Sequence, residues 1–318
     1  MTKIIAEICQ NHLGQRDFLG QAIKAAAAAG SDYIKAQIIF SEDLTNRPRF
    51  NEGFVEDNGV VKTIKRPYQP EFERLKKLDL KEDDYKWFIE ESWKNNIKPM
   101  ATIFSRRRIE FAAGLPWPEK VVKVASYDCA SHALIKELCD AFNHLIISTG
   151  ATFDEEIEKT AEIVRSKGKK LTLLHCVTSY PNTLEMCHLA RMIWLRRLND
   201  LVGWSDHTLV KRDGLKAAKV AMLLGADFIE RHFTILSEDQ TKDGPISIHP
   251  QQLKQLVDFS RLARQEQKKM VDKEIDNWLT MIGDHKCELT HIEILNRDYY
   301  RGRFASYING RWIYNWEE

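Results

Sequence analysis

Short apolar runs recur along this chain, each ending in a polar cluster and each followed by a longer stretch with apolar residues at helical spacing. The first run, residues 4–8, ends in Cys9-Gln10-Asn11-His12 and is answered by an alanine-rich helix over 18–29 that Gly30 stops. The second, 33–39, points Lys35 and Gln37 to one side, because strand side chains alternate with period two. Further runs fall at 98–102, 120–124, 145–147, 171–174, 201–204 and 226–229. Helices are expected over 71–95 with a break near 80–83, from Arg106 onward, and over 133–142, 153–167, 184–198, 211–225 and 250–270. A repeating strand–helix rhythm of this kind predicts an α/β chain, specifically a (β/α)8 TIM barrel over residues 1–270. An open doubly wound sheet is disfavoured, since no Gly-rich phosphate turn follows the first run.

Two stretches break the rhythm. Residues 41–70 are polar and punctuated by Pro48, Gly53, Gly59, Pro67 and Pro70, which reads as a binding loop or a disordered one. Residues 271–318 read as a C-terminal extension, not a second domain, with a β-hairpin over 303–316 turning at Asn309-Gly310.

Composition narrows the functional classes. Lys+Arg 47 against Asp+Glu 46 leaves a net charge of +1, so no basic field for nucleic acid is expected. No apolar run approaches the roughly 18 residues of a membrane span, and the start of the chain has no signal-peptide core. The expectation is a cytoplasmic protein without membrane partners. Cys9, Cys129, Cys139, Cys176, Cys187 and Cys287 show no CxxC pairing and read as free thiols in a reducing compartment.

The chemistry is concentrated at strand ends. Two neighbouring strands close in Ser205-Asp206-His207-Thr208 and Glu230-Arg231-His232-Phe233-Thr234, which puts two histidines on one rim of a parallel barrel. Neutral imidazole suits divalent manganese, iron, cobalt or zinc, and a pair with open positions suggests a catalytic metal more than a structural one. Collected with them are Glu7, Lys35, Gln37, Thr102, Lys123, Ser126, Asp128, Ser148, His175, Ser205 and Glu230. Two lysines among hydroxyls make an anion site by composition, since ammonium groups give phosphate or carboxylate charge-assisted bonds. The plainer alternative is that Lys35 and Lys123 pair with Glu7, Asp128 or Glu230 and merely neutralise the barrel mouth. Glu7 fits a general acid or base, a metal ligand or a partner that orients a lysine. His175, beside a cysteine, reads as a packed residue. His132, His144, His188, His249, His285 and His291 are expected on the surface.

Taken together, Ile4-Ile5-Ala6-Glu7-Ile8-Cys9-Gln10-Asn11-His12, Ile34-Lys35-Ala36-Gln37, Ala101-Thr102-Ile103-Phe104-Ser105, Val122-Lys123-Val124-Ala125-Ser126, Ile147-Ser148-Thr149-Gly150, Leu174-His175-Cys176, Ser179-Tyr180-Pro181 and the two histidine motifs carry a resemblance. In order and spacing the chain resembles the sialic acid synthase family, the N-acetylneuraminate synthases and their legionaminic and pseudaminic acid relatives. The likeness spans residues 3–265. It implies an enzyme that condenses phosphoenolpyruvate with an open-chain N-acetylhexosamine-type aldose, giving a nine-carbon 2-keto sugar acid and phosphate. It implies that His207 and His232 hold a divalent metal, manganese in the first place with magnesium or cobalt as alternatives, and that the metal polarises the sugar aldehyde. Lys35, Gln37, Thr102, Lys123, Ser126, Ser148 and Ser205 would bind phosphoenolpyruvate. Glu7 matches the family's catalytic glutamate, and Asp128, Tyr180 and Asp243 would face the amino sugar. A homodimer is expected by analogy.

The departures from the family pattern lie on the sugar side. The family's C-terminal antifreeze-like domain is expected to be missing, with 303–316 at most a remnant of its first strand. The usual Gly-Pro-Asp is replaced by Asp243-Gly244-Pro245-Ile246, which moves the aspartate to Asp243, and Thr178 stands where the family has asparagine. Two other readings stay open: a Schiff-base aldolase using Lys35 or Lys123, and a non-catalytic relative that binds a sugar or regulates a full-length synthase.

Overall fold

A strand that alternates with period two must send one set of side chains into a barrel and the other set out to the helices. In the structure, a computed structural model that describes residues 1–286 and 288–318, eight parallel strands do this. They are β1 (Lys3–Glu7), β2 (Tyr33–Ile38), β3 (Lys98–Ile103), β4 (Val121–Val124), β5 (His144–Ser148), β6 (Lys170–His175), β7 (Val202–Asp206) and β8 (Phe228–His232). Each pairs with the next, and β8 returns to β1, so the sheet closes on itself with helices around it. Among the described residues, no helix is long and apolar enough to cross a membrane.

Inward residues at the amino ends are large and apolar. Ile5, Tyr33, Met100, Val121, Ile146, Leu174 and Phe228 form one buried cluster that fills the barrel floor. The outward set, Ile4, Ala6, Ile34, Val122, Ile147 and Trp204 among them, packs against the helices in the main core. Each fully buried Ile, Leu or Phe side chain contributes about 1.5–3 kcal/mol. One turn of the alternation further up, the inward residues become Glu7, Lys35, Thr102, Lys123, Ser148, Ser205 and Glu230, all buried. The apolar floor therefore closes the bottom of the barrel and leaves a polar well at its carboxyl end. Gly203 lets β7 and β8 come together: a Cβ there would lie 2.1 Å from the Phe228 carbonyl oxygen.

Several helices differ from the pattern-based expectation, each for a local reason. Residues 211–225 split into Val210–Asp213 and Lys216–Leu223 at Gly214, whose φ of 57° no continuing helix allows. Residues 184–198 give only a 3₁₀ turn, Glu185–Cys187, and a helix, Arg191–Leu195; His188 between them is left-handed and its Nδ1 accepts from the Asp284 amide. The closing helix is two, Pro250–Arg261 and Arg264–Glu274, parted by extended backbone at Leu262. The long loop is not structureless: it holds a short helix, Arg49–Glu52, and a small antiparallel pair, Phe54–Val55 with Val61–Thr63.

The polar stretch after Met270 also contains more than loop. Thr290 and Glu293 cap each other's backbone and start a helix, His291–Tyr300, that leads into β9 (Ala305–Ile308) and β10 (Arg311–Tyr314). This segment lies against the carboxyl rim of the barrel. Tyr300 stacks on Tyr127 at 4.8 Å, Asn296 Nδ2 donates to the Thr178 carbonyl, and Asn315 Nδ2 donates to the Phe104 carbonyl. His144 is no surface residue. It lies in the barrel floor, 2.9 Å from Thr172 Oγ1, and burial pushes its pKa down to about 4. The five described cysteines are free and buried; Cys287 lies outside the described residues.

The two histidine motifs obey the same alternation. Ser205, His207, Glu230 and His232 point inward, while Asp206, Thr208 and Arg231 point outward into the wall. There Asp206 and Arg231 form an ion pair of 2.5 Å, both side chains fully buried. Thr208 completes it: its amide and hydroxyl donate to Asp206 Oδ1, and Arg231 donates to its hydroxyl and carbonyl oxygens. This clamp joins the segment that carries His207 to the strand that carries His232. Arg231→Ala leaves a buried carboxylate without its cation, so urea unfolding should show a loss of about 3–5 kcal/mol. A loss below about 1 kcal/mol would mean the pair does not hold the two segments together.

Candidate active site

The polar well is a cavity of about 350 Å³ at the carboxyl end of the barrel. Strand register sets its order. Glu7 on β1 lies level with Lys35 on β2 and with His232 on β8. Thr102 is level with Gln37 on one side and Lys123 on the other, and Ser205 is level with Glu230.

Four charges run through the well in alternating sign. Glu7 Oε2 is ion-paired with Lys35 Nζ, and its other oxygen accepts the Cys9 amide at 2.5 Å. Lys35 Nζ also lies 3.3 Å from Glu230 Oε2 and donates to Thr102 Oγ1 at 2.9 Å. Lys123 Nζ lies 3.8 Å from Glu230 Oε1 and donates to Ser148 Oγ at 2.7 Å, while Ser205 Oγ donates to Glu230 at 2.8 Å. Burial lowers the Lys35 pKa to about 8, against the Glu230 charge that raises it. Burial alone would raise Glu230, but the Lys123 and Lys35 ammonium groups hold it at about 2. The pairing of lysines with carboxylates expected from sequence is therefore present with Glu7 and Glu230. It does not involve Asp128.

Across the mouth stand the histidines, ring centres 5.3 Å apart, with Tyr180 4.2 Å from His207. Burial pushes both imidazoles below the usual histidine range, and for His207 the neighbouring His232 adds to it. Neutral rings keep a lone pair free. The His207 Nδ1 lies 3.3 Å from the Val177 carbonyl, which fits an Nδ1–H donor and leaves Nε2 as the coordinating atom. Cys9 Sγ, a His232 nitrogen and an Asp243 oxygen all lie within 4.8 Å of one another. Cys9 Sγ donates to Asp243 Oδ2 at 2.8 Å and accepts from Gln37 Nε2 at 3.2 Å. Burial, then the Asp243 charge, raises the Cys9 thiol well above its usual range. The donor chemistry therefore fits a divalent metal.

Of the residues singled out from sequence, Glu7, Lys35, Gln37, Thr102, Lys123, Ser126, Ser148, Tyr180, Ser205, His207, His232 and Asp243 line this one cavity. Asp128 does not. It lines a smaller neighbouring cavity and is buried behind Tyr127, accepting from Ser131 Oγ and Asn315 Nδ2, and burial raises its pKa to about 6. His175 is packed, its Nε2 2.8 Å from the Cys187 carbonyl. Sequence reasoning missed Cys9, although its place at the end of β1 was a signal. It also missed Arg66, Arg74, Lys242, Asn296, Tyr300 and Arg303, which reach the lip from distant segments. Glu71 gathers two of these, pairing with Arg74 at 2.9 Å and with Arg303, and these cations hold its carboxyl at about 2 against burial.

Residues 22–272 match the NeuB family. The N-acetylneuraminate-9-phosphate synthase of Drosophila melanogaster is 30% identical over 295 residues, covering 91% of this chain and 75% of that protein. The pseudaminic acid synthase of Campylobacter jejuni strain 81-176 is 28% identical over 311 residues, covering 95% and 81%. Among solved structures, the N-acetylneuraminic acid synthetase of Leptospira borgpetersenii in complex with citrate superposes with a TM-score of 0.67 at 26% identity, over 94% of this chain and 90% of that one.

Proposed function

The chain belongs to the NeuB family, whose members are carbon–carbon bond-forming sugar-acid synthases, and on that premise we propose the reaction it carries out. Phosphoenolpyruvate condenses with an open-chain N-acetylhexosamine-type aldose to give a nine-carbon 2-keto sugar acid and phosphate, in a metal-dependent step. The observation that carries this reading is the shared mouth: two buried ammonium groups and two neutral imidazoles line one cavity, with Glu7 in register between them.

Lys35 and Lys123 bind the phosphate and carboxylate of phosphoenolpyruvate, helped by Gln37 and the hydroxyls of Thr102, Ser126, Ser148 and Ser205. Charge-assisted bonds of this type are about twice as strong as neutral ones. The resting well is formally balanced, two lysines against Glu7 and Glu230, so the incoming anion takes over contacts that the carboxylates hold beforehand. Carbon 3 of phosphoenolpyruvate forms the new bond to the aldehyde carbon, and the aldehyde oxygen ends as a hydroxyl. Water adds at carbon 2 and phosphate departs, leaving the keto group. Glu7 serves as the acid–base group through Oε2, the atom it shares with Lys35 Nζ. A divalent metal held by His207 and His232 would supply Lewis acidity that polarises the aldehyde. Tyr180 and Asp243, at the outer wall, orient the sugar. Asp128 acts on that side only through the Tyr127 segment it holds.

The match to a family whose named members are synthases favours this reading over a Schiff-base aldolase. Incubation with phosphoenolpyruvate, manganese or cobalt and a panel of N-acetylhexosamines should release phosphate and give a product with the mass of both substrates plus water less phosphate. Silence across the panel, or borohydride trapping of pyruvate on Lys35 or Lys123, would contradict it.

A pH dependence follows from Lys35. Its ammonium is charged below about 8 and neutral above, and the anion binds the charged form. Phosphoenolpyruvate affinity, measured by calorimetry, should be flat between about pH 7, where its phosphate is ionised, and about pH 8, and fall above that by up to about tenfold per pH unit. Lys35→Arg, whose guanidinium stays charged, should abolish the fall. A wild-type affinity unchanged well above pH 8 would show that Lys35 does not carry the anion.

A further inference from the structure

Cys9 is a residue the proposed chemistry leaves unused, and its surroundings are unusual for a packed thiol. Its backbone sits at φ 53°, a left-handed conformation that favours glycine. Its side chain is buried, yet a carboxylate, an amide and an imidazole lie beside it. The sulfur, a nitrogen of His232 and an oxygen of Asp243 converge from three separate places in the chain: the end of β1, the end of β8 and the loop after β8. Their mutual separation, within 4.8 Å, is what three ligands of one ion require. Among the described residues this is the one His/Cys/Asp/Glu group that meets that condition.

We propose that Cys9 and Asp243 are ligands of the metal together with His232, so that the site is a sulfur–nitrogen–oxygen set and not a histidine pair alone. The inference rests on the reading of this mouth as metal-dependent. It changes which ion the site takes: a thiolate beside imidazole suits zinc, cobalt or ferrous iron, whereas manganese and magnesium suit carboxylate, carbonyl and water. Ligation replaces the hydrogen bond between Cys9 and Asp243. The thiol proton that Asp243 accepts goes to solvent, and both groups then donate electron pairs to the ion. His207, just past the end of β7, stands beside this group, its ring centre 5.3 Å from that of His232. Gln37, which donates to the sulfur, is left as the residue that orients it.

Cobalt titration of the full chain reads the sulfur directly, without phosphoenolpyruvate or sugar. Bound cobalt should show thiolate-to-cobalt charge-transfer absorption in the near ultraviolet. Cys9→Gly should lose that band, and its preference for cobalt over manganese, from competition binding, should shrink by roughly tenfold or more. The glycine suits the left-handed backbone, so this variant should melt no lower than the native chain. Asp243→Asn should keep the band and weaken cobalt binding roughly tenfold. Cobalt bound without the band, a band that survives in Cys9→Gly, or no cobalt bound at all would overturn the proposal. The two readings fail separately: the band without phosphate release leaves the ligand set standing and removes the reaction, and phosphate release without the band does the reverse.

Discussion

The arrangement depends on charges that cannot be buried singly. Moving one ion from water into the interior costs several kcal/mol after relaxation, and only close opposite charges and hydrogen bonds offset it. In the barrel mouth Glu7, Lys35, Glu230 and Lys123 meet that condition as one alternating line, with Thr102, Ser148 and Ser205 supplying the remaining bonds. Each lysine is held at the well by a hydroxyl as well as by carboxylate, Lys35 by Thr102 and Lys123 by Ser148. Preorganisation of this kind spares the reaction the cost of assembling the site when the ligand arrives.

The walls carry the same logic outward. Asp206, Arg231 and Thr208 form a polar cluster on the far side of β7 and β8, buried among the helices, and it fixes the backbone that bears both histidines. Above the rim, the loop after β2 and the C-terminal segment meet across the mouth. Thr45 bonds to the backbone of Gly302 and Arg303, and Glu71 collects Arg74 and Arg303. The cavity is thus floored by the barrel and lipped by segments that the strand rhythm does not include.

Much of this was legible in the chain. Period-two alternation places Ile5 below Glu7, Met100 below Thr102 and Phe228 below Glu230, so the apolar floor and polar rim follow from pattern alone. What the pattern could not carry were contacts between residues far apart in sequence. Asp128 is drawn away from the cavity by Ser131 and by Asn315, a residue near the end of the chain. Cys9 meets Asp243 where the loop after β8 folds back over the end of the neighbouring β1, and neither spacing nor motif links them. The helix breaks at Gly214 and His188 arise where a backbone group turns to bond Arg231 or a side chain turns to bond Asp284. Helical periodicity registers neither event.

In the proposed reaction an anion pocket and a metal ion share one mouth of the barrel. Phosphorus-31 relaxation of phosphoenolpyruvate in the presence of protein loaded with paramagnetic manganese or cobalt tests that proximity. Strong broadening of the bound phosphoenolpyruvate signal is expected, and it should vanish in His232→Ala while phosphoenolpyruvate still binds. Phosphoenolpyruvate that binds the metal-loaded protein with no paramagnetic broadening would place the two sites apart and contradict the account.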